Sequence, residues 1–316
     1  MAGRQVQTIA LTVAFLLVAA SVPLFAGEFW MRLLMQIMIF GLLALSTDLL
    51  LGHAGLFSLC HASFFAVAAY ATAILQVRHG VGTLLAASAG IAAGTLLALV
   101  FAVAVRTRGV YFILITLAFG YIVWGVAYRW ASFTGGDNGV TNVPLPAVGS
   151  WRVTDATTYY YIVLAVVLVC ALAYRILTAS PFGLTLRGIK SSESRMRSMG
   201  YDVGRHLYVA FVLSGVFSSI AGVLYVYFNR FVNPTAASFP VSVEAVLMAI
   251  IGGTGTIIGS FLGAGIILVL RNWVSGYFHY YTAILGVVFI VTVLWAPQGI
   301  MGLLKRWRSG DRGEGA

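Results

Sequence analysis

The chain has 316 residues, of which 60% are hydrophobic and 9% charged, where a soluble domain carries roughly 25% charged residues. This excludes an ordinary soluble protein, and the near-continuous apolar segments leave no polar linker at which to divide two domains. The formal net charge of +10 sits in short basic clusters between apolar stretches, the pattern of cytoplasmic membrane loops and not of a nucleic-acid surface.

A bilayer core about 30 Å thick needs roughly 20 apolar helical residues to cross it. The first such run is 8–26, preceded by Arg4. We read it as a retained helix, because its apolar core is long and Leu24-Phe25-Ala26 makes a poor cleavage site. Next comes 33–51, interrupted only by Asp48, then the uncharged runs 56–77, 81–105, 109–128, 156–174 and 207–229. The stretch 241–270 is apolar except for Glu244, but Gly252-Gly253-Thr254-Gly255 in its middle disfavours a continuous helix. Two short segments are expected there, followed by a last span at 277–296. The result is an all-α polytopic membrane protein of about ten segments, some broken or half-length. It forms one transmembrane domain over 1–316, embedded over about 8–304, with a cytoplasmic loop at 178–206 and a basic tail at 305–316.

Ten crossings with a cytoplasmic N-terminus place 13 of the 19 basic residues inside, as the positive-inside tendency requires. Nine would export Lys305, Arg306, Arg308 and Arg312. Both termini are therefore expected in the cytoplasm. Trp30, Trp124, Tyr128, Trp130, Tyr159 to Tyr161, Tyr225, Tyr227 and Tyr277 to Tyr281 fall near proposed outer boundaries, and Trp295 and Trp307 near the inner one, where aromatic rings anchor spans. Cys60 and Cys170 lie inside apolar segments with no zinc or disulfide spacing, and are expected as free buried thiols.

Two apolar segments are interrupted by glycine: Gly52-His53-Ala54-Gly55 below Asp48, and Gly252-Gly253-Thr254-Gly255 below Glu244. Paired broken helices can mark a translocation region and an internal repeat. The same glycines can equally serve close helix packing. Beyond the first break, His61 lies at membrane depth, where an imidazole either serves function or donates to a neighbouring helix.

The loop after 174 can be read on its own terms. Ser180 and Pro181 suit an N-cap and first helical position. Leu186, Ile189, Met196 and Met199 have helix-compatible spacing, and Gly200 is a suitable stop. One or two short basic helices follow, lying on lipid headgroups or docking on a partner. The loop between 128 and 156 is long enough to suggest function. No phosphate loop is present, the only lysines are Lys190 and Lys305, and no paired carboxylates, nucleophile–base pair or metal cluster is evident. Neither catalytic nor metal-binding nor cofactor-binding residues are expected, and the chain is not read as an enzyme.

The run Ser58-Leu59-Cys60-His61-Ala62-Ser63-Phe64-Phe65, with the glycines before it and Tyr70 after it, resembles the permease family of branched-chain amino-acid ABC importers, M-type (LivM-like). Further matching stretches are Thr116-Leu117-Ala118-Phe119, Thr134-Gly135-Gly136-Asp137-Asn138-Gly139, Ser180-Pro181-Phe182-Gly183, Gly200-Tyr201-Asp202-Val203 and Pro297-Gln298-Gly299. The resemblance covers about residues 33–304. Cys60 and Ser260 depart from the family's usual glycine and proline.

This resemblance implies a bacterial inner-membrane permease that forms half a translocation path. It would pair with a second, H-type permease, two ATP-binding subunits carrying ATP-Mg, and a periplasmic substrate-binding protein. Ser58, His61, Thr254 and Glu244 become path candidates. Arg187, Lys190, Glu193, Met196, Arg197 and Met199 become coupling-loop candidates, and Asp137 and Asn138 candidates for the binding-protein dock. The alternatives are a permease for urea, short amides or sugars, or an ion-coupled secondary transporter. The latter usually leaves buried charges along its path, and here only Asp48 and Glu244 are acidic within spans.

Overall fold

In the computed structural model, the described residues are Pro23, 27–148, 151–153, 155–274 and 299–301. The expected spans 8–26 and 277–296, the 305–316 tail, Tyr277 to Tyr281, Trp295 and Trp307 lie outside them, as does all but Gly299 of the Pro297-Gln298-Gly299 match.

Helix α1 (Glu28–Asp48) runs directly into a wide π-helical turn, Leu49–Ala54, which Gly55 ends at φ +73°. A left-handed residue there costs glycine nothing. Next come α2 (His61–His79), α3 (Thr83–Phe101, prolonged by a 3₁₀ turn to Arg106) and α4 (Val110–Arg129). A two-residue-per-strand hairpin, Ala147–Val148 with Trp151–Arg152, precedes α5 (Ala156–Ala179). Two short helices, α6 (Pro181–Ser191) and α7 (Glu193–Ser198), lead into α8 (Val203–Asn229). The chain then forms α9 (Phe239–Gly252) and α10 (Ile257–Val274), bent by 119° at the glycine-rich break.

Five stretches among the described residues are long and apolar enough to cross a membrane, namely 28–54, 83–106, 110–129, 156–179 and 203–229, and the bent pair makes a sixth. The fold is therefore an all-α polytopic membrane protein. Of the ten expected from the sequence, two (8–26 and 277–296) lie outside the described residues, within which five to six stretches qualify by length and composition. Helix α2 is not among the five because His61, Gln76, Arg78 and His79 lower its apolar character, yet its side chains are mostly buried.

The core forms where α2, α3 and α8 meet through small residues. A Cβ on Gly94 of α3 would stand 2.8 Å from the Phe64 carbonyl oxygen of α2, and one on Gly222 of α8 would collide with the Phe65 backbone. Small residues let helix backbones approach where lipid supplies no hydrophobic contrast. Around this seam Phe64, Phe101 and Phe211 interlock.

Some expected interface aromatics are core residues instead. Tyr159 is buried and donates to the Leu224 carbonyl at 2.6 Å, and Tyr160 and Tyr227 are also buried. Distance from a segment end does not reveal which way a ring faces, and a buried phenol persists where its hydroxyl finds a carbonyl. Trp30, Tyr128, Trp130 and Tyr161 are exposed, as anchors would be. Cys60 and Cys170 are free and buried.

The loops sort by end of the bundle. At one end Arg108 reaches Glu193 and Lys190 reaches Gly52. At the other, Arg78 donates to the Ser132 carbonyl, Val140 pairs with Val232, and the Ala147 amide donates to Thr83.

Candidate functional site

The basic end carries the α6–α7 pair. Ser180 occupies the N-cap place before Pro181, but its hydroxyl donates back to the Leu177 carbonyl instead of capping the helix. The side-chain caps are Ser192, accepting from the Arg195 amide, and Asp202, accepting from the Arg205 amide. Gly200, at φ +85°, closes the pair, with Tyr201 donating to the Met196 carbonyl. Leu186, Ile189 and Met196 are buried in a cluster with Leu50, Ala54 and Phe211. The helices are thus seated by an apolar underside.

Polar contacts clamp this seat. Arg108 meets Glu193 with two parallel bonds, Nε to Oε2 at 2.6 Å and Nη2 to Oε1 at 2.9 Å, and also donates to the Val105 carbonyl. Such fork geometry is the strong form of an ion pair. Arg197 adds two more, from Nε at 3.1 Å and Nη2 at 2.8 Å, both to Oε1 of Glu193. The hydrogen bond from Arg108, aided by that from Arg197, holds the Glu193 carboxyl below the usual carboxylate range, against the opposing effect of partial burial. Lys190 Nζ donates to the Gly52 carbonyl at 2.8 Å, and Arg187 donates to the Thr178 carbonyl at 3.2 Å.

The coupling-loop candidates therefore divide. Lys190 and Glu193 bind the pair to the bundle, and Arg187 and Arg197 join that scaffold. Met196, expected as an apolar anchor for a partner, is buried, because α7 folds back and its sulfur lies against Gly188. Met199 is exposed, as are Leu184 and Tyr201.

The two glycine-interrupted segments touch. Asp48 is fully buried; its Oδ1 accepts from the Gly255 amide at 2.7 Å and its Oδ2 from the Tyr174 hydroxyl at 2.8 Å. A Cβ on Gly52 would meet the Gly255 nitrogen at 2.6 Å. His53 stands edge-on to Tyr174, with Nδ1 3.3 Å from its hydroxyl. Close packing of the breaks is thus realised.

The path candidates occupy separate contacts. Ser58 is buried, 3.4 Å from the Cys60 sulfur. His61 is fully buried, with Nε2 3.1 Å from the Ser214 hydroxyl and Phe64 and Phe211 against its ring. Ser218 donates to the His61 carbonyl, so this position joins α2 to α8. Glu244 pairs with Arg271 at 3.3 Å, and that guanidinium lies over the Phe40 ring. Thr254 is exposed at the second break. At the opposite end, Asp137 and Asn138 are exposed on a 3₁₀ turn, Gly136–Asn138. That turn is held where Gly139 lies directly on the Val232 backbone. Along α4 an open groove of about 740 Å³ is lined by Tyr121, Trp124, Arg129 and Trp130, among others. Among the described residues, no three His, Cys, Asp or Glu side chains converge to hold a metal ion.

Sequence reasoning missed Tyr174 and Arg108. A tyrosine at a span end is indistinguishable from an interface anchor, and an arginine between spans from any positive-inside residue. The pairing of Arg108 with Glu193, 85 residues away, leaves no local signal.

Broken, glycine-packed helices joined to a clamped surface helix pair define the class: a polytopic helical membrane protein. More particularly, residues 29–293 match the family described as branched-chain amino acid transport system / permease component, and the chain belongs to that family. It is 27% identical to the high-affinity branched-chain amino acid transport system permease protein LivM of Escherichia coli, covering 96% of this chain and 77% of that one. It is 23% identical to LivH, the permease protein of the same name in that organism, over 83% and 91% of the two chains. A shorter match, 29% identical over 37% of this chain and 34% of the other, is to the fructose import permease protein FrcC of Rhizobium meliloti. No solved structure matches.

Proposed function

We propose that this chain is the M-type permease subunit of an ATP-driven importer for branched-chain amino acids, and that the basic end of the bundle faces the cytoplasm. One structural observation carries the reading. The α6–α7 pair is locked to the bundle by buried apolar residues and a forked ion pair, while Leu184, Met199 and Tyr201 point away from it. A loop that only lay in water would have no need of that clamp, and apolar side chains turned outward suit a docking partner. ATP-Mg would be bound and hydrolysed on two such partners, beneath this permease and a related H-type one.

Helix α4 supplies a face for the second permease and the path. The exposed residues of α3 and α5 are mainly aliphatic, including Leu85, Leu96, Val100, Val169 and Leu172, as lipid contact favours. Those of α4 include Tyr111, Tyr121 and Tyr128 beside the Arg129 groove. Aromatic residues and arginine are enriched in protein interfaces. Asp137 and Asn138, at the far end, are proposed to contribute to the dock for a periplasmic binding protein. The match to a fructose permease favours one alternative, a sugar as cargo.

The test is reconstitution with the expected partners and uptake of a labelled panel of amino acids, sugars and urea, with and without ATP. Uptake of leucine, isoleucine or valine that requires ATP supports the reading. Uptake that ignores ATP and follows a proton or sodium gradient refutes it. For orientation, a cysteine at the exposed Ser194, in a background lacking Cys60 and Cys170, should resist an impermeant reagent applied from outside. Replacing Asp137 and Asn138 with alanine should slow uptake at limiting binding protein, and unchanged uptake would remove that assignment.

A further inference from the structure

Lys190 is one of two lysines in the chain, and the helix it belongs to is the surface helix α6. Lys190 is exposed, yet its ammonium is anchored: it donates at 2.8 Å to the Gly52 carbonyl, in the wide turn that follows α1. Its aliphatic stem lies against Gly55, where a Cβ would stand 3.1 Å from the Lys190 Cγ. A cation at the carbonyl end of a helix is favoured by the helix dipole, and here the turn has freed a carbonyl to receive it. Four residues before Gly52, Asp48 accepts the Gly255 amide of the second break and the Tyr174 hydroxyl of α5. Gly52 itself lies against Gly255 with no room for a side chain. One continuous set of contacts therefore runs from α6 through Lys190 to the first break, and from there to the second break and α5.

We propose that Lys190 is a positioning residue for transport: it ties α6 to both broken spans, so that displacement of α6 moves the Gly52 and Gly255 breaks together. The inference rests on the proposed docking of ATP-binding partners at α6–α7. Lysine suits the position because its compact ammonium is a point donor that one carbonyl can hold. Tyr174 and Asp48 extend the tie, since a hydroxyl and a carboxylate together join α5, α1 and the second break.

The experiment uses the full complex in proteoliposomes. The readouts are solute moved per ATP hydrolysed, retention of the ATP-binding subunits, and an environment-sensitive fluorophore on Thr254→Cys in a background lacking Cys60 and Cys170. Lys190→Ala should keep the subunits and ATP hydrolysis, lower transport per ATP about tenfold, as loss of one charge-assisted hydrogen bond predicts, and abolish the ATP-driven fluorescence change. Tyr174→Phe should weaken both in the same direction, and Lys190→Arg should restore part of the loss. Unchanged transport per ATP with an intact fluorescence response in Lys190→Ala overturns the inference. So does loss of the ATP-binding subunits in that variant, which would make Lys190 a docking or folding residue. Wild-type uptake that needs no ATP would instead sink the proposed function, and the relay with it.

Discussion

Met196 and Met199 lie three residues apart on one short helical turn, yet one is buried and the other exposed, and that contrast can be measured. Met196 is 7% exposed and packs against Gly188, whereas Met199 is 57% exposed. Met196→Asp removes a buried side chain, a change of roughly 2–5 kcal/mol when the replacement is alanine, and adds the desolvation of an unpaired carboxylate. The permease itself should lose stability, seen as a lower melting temperature of a fluorescent fusion in detergent. Met199→Asp should leave folding within about 0.5 kcal/mol of wild type, as exposed substitutions generally do. If Met199 anchors a partner, its loss should instead cost about 2 kcal/mol of docking, close to 30-fold weaker retention of the ATP-binding subunits. The two variants thus separate in two assays. A Met196→Asp permease that melts like wild type would show that α7 does not fold back as described. A Met199→Asp permease that keeps its partners would remove the docking face.

Two further predictions concern the ion pairs. Glu193 is held below the ordinary carboxylate range, so its clamp contributes stability that is present above the unfolded value of about 4.3 and lost as pH falls through the lower folded value. Amide exchange over 193–198 should stay slow from neutral pH to about 5 and quicken below the folded value. Arg108→Gln should quicken it already at neutral pH, and identical exchange in the two proteins would dismiss the clamp. In the bent pair, the Glu244 and Arg271 side chains are 12% and 25% exposed. Arg271→Met alone strands a buried carboxylate and should cost about 3–5 kcal/mol, while Glu244→Gln with Arg271→Met should recover most of it. A double variant no more stable than the single one would refute the pairing.

The helices, their breaks and the seat of the surface loop were legible in the sequence because each depends on neighbours along the chain. Uncharged runs of span length specify helices, and Gly252 to Gly255 interrupts one. Pro181 and Gly200 bracket the α6–α7 pair as expected, and Leu186 and Ile189 turn inward at helical spacing. Motif order along the chain was also enough to indicate the family. Of the expected crossings, five to six are matched by candidate spans among the described residues, and 8–26 and 277–296 lie outside those residues.

Tertiary structure alone decided what each polar residue meets. Asp48 and Gly255 are 207 residues apart in the chain yet share a hydrogen bond, and Tyr174 joins them from a third helix. In a span nearly every position is apolar, so periodicity hardly tells a lipid-facing side from a core-facing one. Tyr159 could thus pass for an interface anchor, and Met196 for an exposed one. A buried donor or acceptor must find its partner wherever the helices bring one, and that depends on how the helices pack, which no local stretch of sequence contains.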